Sequence, residues 1–92
     1  MRARAHVVVS GDVQGVFFRQ ETKRQAEAHD VSGWVRNRDD GAVEAVFEGE
    51  KQDVKALAEF CKQGPSGAMV TNVDVKWENF TGEFNDFKIL YA

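Results

Sequence analysis

Segments of alternating and of helical periodicity succeed one another along this chain in an order that few folds accommodate. Ala5 to Ser10 is rich in β-branched residues and bounded by Gly11, which predicts a strand. Phe18 to His29 is dense in helix formers, while its apolar stripe of Phe18, Thr22 and Ala26 is thin, so propensity more than period predicts a helix. Val31 to Arg38 predicts a second strand. It meets the turn signal Asp39-Asp40-Gly41 and returns from Ala42 to Phe47 as a third, with Gly49 ending it. In that return Val43, Ala45 and Phe47 alternate with Glu44, Val46 and Glu48, the period of a sheet with one buried face. Val54, Leu57, Ala58 and Cys61 recur at helical spacing, and Gly64-Pro65 stops this second helix. Val70 to Trp77 alternates as a fourth strand. After a loop from Asn79 to Asn85, Phe87 to Tyr91 forms a short last strand.

Strand, helix, strand, strand, helix, strand is the ferredoxin-like split βαβ order. It predicts an α+β fold with two helices on one face of an antiparallel sheet, plus a short extra C-terminal strand. A right-handed crossover runs strands 1 and 2 in the same direction with strand 3 between them. Their ends then lie at one edge, two inter-strand spacings or roughly 10 Å apart. The 92 residues supply one domain, 1–92, with a modest core.

The stretch Ser10-Gly11-Asp12-Val13-Gln14-Gly15-Val16-Phe17-Phe18-Arg19 joins the first strand to the first helix. A loop there exposes unpartnered backbone N–H groups where the helix dipole adds positive charge. Gly11 and Gly15 let the backbone curl, and Arg19 supplies a planar cation, so the segment suits a phosphate-sized anion. A flexible turn with a solvated arginine explains the same residues. No Gly-Lys-Ser/Thr follows and the Gly-x-Gly-x-x-Gly spacing is missing, so no nucleotide is implied. Asn37, at the far end of strand 2, reads either as a turn stabiliser or as a partner to Arg19 across the sheet edge.

Twelve Lys and Arg against fifteen Asp and Glu leave a formal charge of −3, which disfavours nucleic acid or an anionic membrane as partner. No run approaches the about 20 apolar residues of a membrane span. No signal peptide opens the chain and one cysteine forms no internal disulfide, so a cytoplasmic protein is expected, and a monomer. His6 and His29 lack ligands at metal spacing, so no metal and no cofactor is expected; His29 suits the helix dipole instead. Cys61, on an apolar helix stripe, reads as core. Asp39 and Asp40 read as turn residues, and Trp34 and Trp77 as packing residues, although either could rim a site.

Gly11-Asp12-Val13-Gln14-Gly15-Val16-Phe17-Phe18-Arg19 resembles the first signature of the acylphosphatase family. Gly33-Trp34-Val35-Arg36-Asn37, followed by Gly41, Val43 and Gly49, resembles the second. The Gly64 to Ala68 loop and the closing Phe87 to Tyr91 are similar as well, so the resemblance covers essentially the whole chain. It implies metal-independent hydrolysis of a small acyl phosphate to a carboxylate and inorganic phosphate. Arg19 and the backbone N–H groups of Gln14, Gly15, Val16, Phe17 and Phe18 are then implied to bind the phosphoryl group, and Asn37 to orient the attacking water. Asp12 and Met69 stand where the family often carries other residues, and the charge of Asp12 would oppose a nearby dianion.

Two other readings compete. RNA-recognition domains share the element order, but the third strand here is acidic and lacks a stacking pair. A non-catalytic domain binding phosphate or carbamoyl phosphate would keep the same pocket.

Overall fold

The computed structural model describes residues 1–91. Seven elements follow in the expected order: β1 (Arg2–Asp12), α1 (Phe18–Ala28), β2 (Ser32–Asn37), β3 (Val43–Glu50), α2 (Lys51–Gln63), β4 (Met69–Glu78) and β5 (Phe87–Leu90). The sheet order is β4-β1-β3-β2-β5. β1 is antiparallel to both β3 and β4, and β2 is antiparallel to β3, as in the ferredoxin-like arrangement. The extra strand β5 lies parallel to β2, which makes the sheet mixed rather than wholly antiparallel.

Both helices pack on the sheet and on each other. Ala5, Val7 and Val9 of β1 and Val43, Ala45 and Phe47 of β3 point into the layer between, where they meet Phe18 and Ala26 of α1 and Val54, Leu57 and Cys61 of α2. Phe47 stacks on Phe87 at 5.7 Å, tying the parallel strand to the centre of the sheet. The Cys61 thiol is fully buried, and burial pushes its pKa up to about 12, so it stays a protonated core group.

Two expectations about β3 need correction. Gly49 does not end it: the strand runs on to Glu50, and α2 begins at the next residue. A Cβ on Gly49 would stand 3.4 Å from the Asp30 carbonyl oxygen, so the glycine admits the turn after α1 rather than stopping the strand. Nor does β3 have only one buried face, since Val46 and Glu48 on the other side are buried too. β3 is the central strand, and its outer residues are covered by neighbours on both sides. Val46 lies between His6 and Trp34, and Glu48 between Arg4 and Ser32.

Candidate active site

Topology brings the two candidate side chains to one edge. Val43 of β3 pairs with Val9 of β1 on one side and with Asn37 of β2 on the other, so the ends of the two parallel strands lie two spacings apart, about 10 Å. Past Val9, β1 pairs only with β4, through a register shift between Ser10 and Gly11. A Cβ on Gly11 would come within 2.1 Å of the Met69 carbonyl oxygen. Gly11 therefore serves this bulge against β4, and the curl of the loop begins beyond it.

The loop turns into α1 through left-handed residues: Gly15 at φ 76° and Phe17 at φ 62°. Such turns point backbone N–H groups into a concavity that suits anions. Among the described residues, no acceptor takes the N–H groups of Gln14 to Phe17, and Phe17, the residue capping α1, provides no side-chain cap. Its carbonyl accepts the first helical bond, from Glu21 at 3.0 Å, leaving the N–H groups of the first turn unpaired.

Val13, Gly15, Phe17, Phe18, Arg19, Gln20 and Asn37 line one cavity of about 130 Å³. A water takes about 30 Å³ in the liquid, so a phosphoryl-sized group and a water fit together. Arg19 forms no ion pair among the described residues; its guanidinium carbon sits 5.0 Å from the Tyr91 ring centroid. The Oδ1 atom of Asn37 is buried and meets no donor among the described residues. An orphan buried acceptor costs about 1–3 kcal/mol, and the fold offers no return for it.

The remaining candidates fall elsewhere. The Val16 side chain packs against the core and the Gln14 carboxamide turns to the β2–β3 turn, so these two residues offer the loop their backbone N–H groups alone. Asp12 and Met69, paired at the end of β1, are not in the lining. Asp40 serves its turn, accepting from the Ala42 N–H at 3.1 Å; that bond first, and Arg38 after it, hold its carboxyl below the usual range. His29 Nδ1 lies 3.2 Å from Asp53 Oδ1 on α2, a helix-to-helix contact rather than a dipole effect alone. Neither Trp34 nor Trp77 borders the cavity; the aromatic at its mouth is Phe17. A larger cleft of about 510 Å³ beside Met1, Glu50 and Lys51 contains neither an arginine nor an orphan acceptor. Among the described residues, no three His, Cys, Asp or Glu side chains are grouped to hold a metal ion.

The acylphosphatase family model matches residues 5–89. The chain is similar to an acylphosphatase of Pelotomaculum thermopropionicum, with 60% identity over 90 residues that cover 98% of each chain. Its fold is similar to the solved acylphosphatase of Coxiella burnetii (TM-score 0.91, 38% identity, 97% of this chain and 93% of that one). It is also similar to that of Bacillus subtilis (TM-score 0.92, 34% identity, 99% and 100%).

Proposed function

The chain belongs to the acylphosphatase family, and from that premise we propose that residues 1–92 work as one domain in which Arg19 and the loop N–H groups hold the phosphoryl group of an acyl phosphate while Asn37 aims the water that attacks it. The observation that carries this reading is the cavity shared by Arg19 and Asn37, with an unpaired carboxamide oxygen buried beside it.

The chemistry asks for little else. Phosphoryl transfer proceeds through a loose transition state in which charge spreads over three equatorial oxygens, so positioning and charge stabilisation supply most of the catalysis. A guanidinium presents two parallel N–H groups to two of those oxygens, and the N–H groups of Gln14 to Phe18 take the third. The leaving group is a carboxylate of low pKa, which departs without a general acid. Asn37 Oδ1 accepts a hydrogen bond from the water, which turns an oxygen lone pair toward phosphorus. A substrate oxygen can then take the proton. Arg19 and the amides supply the positive charge that a metal ion otherwise brings, so the reaction proceeds without one. The products are a carboxylate and inorganic phosphate, and the latter competes for the same cradle.

The deciding experiment is turnover of benzoyl phosphate with a chelator present, in the wild-type protein and in Asn37→Ala. Rapid wild-type hydrolysis is expected, with kcat about a hundredfold lower in the variant and inhibition by inorganic phosphate nearly unchanged. Binding without turnover in the wild type would make the domain a phosphate or carbamoyl phosphate sensor. Full turnover in Asn37→Ala would remove the role given to that residue.

A further inference from the structure

Gln14 lies between Val13 and Gly15, both of which line the cavity, yet its own side chain leaves it. Its Nε2 donates to the carbonyl oxygens of Arg38 at 2.8 Å and Ala42 at 3.0 Å. Both donor hydrogens of the carboxamide are thus used, and both acceptors belong to the turn between β2 and β3. Arg38 and Ala42 are themselves paired, since the Arg38 N–H donates to the Ala42 oxygen at 2.8 Å. Gln14 therefore grips the first rung beyond the strands, one residue after Asn37.

Among the described residues, these are the only hydrogen bonds between residues 13–17 and the hairpin. β1 has already parted from β3 at Val9, so no ladder ties the loop to β2. The loop carries the N–H groups and leads into Arg19, while β2 carries Asn37. Their separation has to be held within a fraction of an ångström for a bound water to reach phosphorus in line. The side chain is exposed, so its bonds compete with water and contribute little to stability. Stability alone does not account for a carboxamide matched to two carbonyls.

We infer that Gln14 is a positioning residue: its carboxamide fastens the phosphate-binding loop to the β2–β3 turn and so sets the reach between the cradle and the Asn37 side chain. This rests on the roles proposed for Arg19 and Asn37, and it assigns Gln14 a side-chain task apart from its backbone N–H. Met has similar length and no donor. Glu keeps the shape but turns a carboxylate toward two carbonyl oxygens.

The test is a double-mutant cycle with benzoyl phosphate as substrate and inorganic phosphate as inhibitor, comparing wild type, Gln14→Met, Gln14→Glu, Asn37→Ala and the Gln14→Met/Asn37→Ala pair. Both Gln14 variants are expected to fold, with unfolding midpoints within about 8 °C of wild type, because an exposed bond is lost. Their kcat should fall about ten- to a hundredfold, with phosphate inhibition shifted by about threefold or less. In the Asn37→Ala background Gln14→Met should cost about twofold or less, since the group it positions is gone. A Gln14→Met enzyme with wild-type kcat overturns the inference, and so does an equal loss in both backgrounds. If Asn37→Ala loses turnover while Gln14→Met keeps it, only this inference falls. If Asn37→Ala keeps turnover, the reading beneath it falls and takes this one with it.

Discussion

Glu48 of β3 and Arg4 of β1 face each other across the sheet, with Arg4 Nη1 2.9 Å from Glu48 Oε2 and the glutamate side chain wholly buried. Glu48 also accepts from the Thr81 N–H and hydroxyl, each at 2.9 Å, and from the Gly82 N–H at 3.0 Å. One carboxylate thereby fixes the loop that leads from β4 to β5. Burial pushes its pKa up, but the Thr81 N–H, Arg4, the Thr81 hydroxyl and the Gly82 N–H outweigh it, so the folded value lies below the ordinary 4.5. A lowered folded pKa gives stability that is fully present above 4.5 and is lost as the pH falls through the folded value. Denaturant unfolding from pH 6 downward should show stability declining below about 4.5. Glu48→Gln should cost about 2–3 kcal/mol at neutral pH, less than a fully stranded charge because Arg4 keeps Glu78 and Glu83. The variant should also decline less steeply in acid, and a slope equal to wild type would show that another carboxylate governs it.

Arg19 should tolerate no substitution. Removing it leaves the transferring oxygens to neutral N–H groups, and the loss of one such electrostatic partner commonly costs about a hundred- to a thousandfold in rate. Arg19→Lys keeps the charge but not the fork, so it should stay at least about tenfold below wild type in kcat/KM. Both variants should bind inorganic phosphate more weakly, in contrast to Asn37→Ala. Phosphate inhibition constants measured side by side check this, and an unshifted constant in Arg19→Ala would place the anion elsewhere.

Which of these features can be read before folding follows from the range of the interactions involved. Asn37 is legible beside Arg19 because the element order alone forces two parallel strands to end at the same edge, here around Val43. The stripe Val54, Leu57, Ala58 and Cys61 is legible because helix burial repeats locally, and all four residues are buried. Glu48 is not. Its period places it on the outer face with Glu44, and only the neighbours Arg4 and Thr81, distant in sequence, turn that face inward at this point. Gln14 is legible as loop and not as a clamp, since its acceptors are backbone carbonyls that leave no mark on residue identity. Phe17 gives no warning of its left-handed backbone, which phenylalanine rarely adopts.

Tyr91 stands just past β5, so the parallel strand ends by delivering a ring 5.0 Å from the Arg19 guanidinium carbon. A cation over an exposed aromatic face is worth about 0.5–1 kcal/mol, enough to bias the rotamer of a long side chain without anchoring it. Tyr91→Ala should therefore weaken phosphate inhibition by about two- to fivefold, the same energy expressed as an equilibrium. Tyr91→Phe should match wild type, because the face and not the hydroxyl makes the contact. Equal losses in both variants would assign the effect to the hydroxyl.

Phe17 combines a left-handed backbone with a side chain that is 75% exposed. The conformation costs a residue with a Cβ about 1–2 kcal/mol, and little burial offsets it. Glycine removes that penalty but makes the unfolded chain more flexible, at a cost of about 0.4–1 kcal/mol. The difference favours the variant, so Phe17→Gly should be more stable than wild type by up to about 1.5 kcal/mol, at about 4–8 °C in Tm for each kcal/mol in a domain of this size. Asparagine, which tolerates the left-handed region with less entropy to lose, should give a similar gain. Thermal unfolding at matched concentration settles the sign. A loss of stability in both variants would mean that the phenyl ring supports the loop, and that its exposure hides a contact the fold depends on.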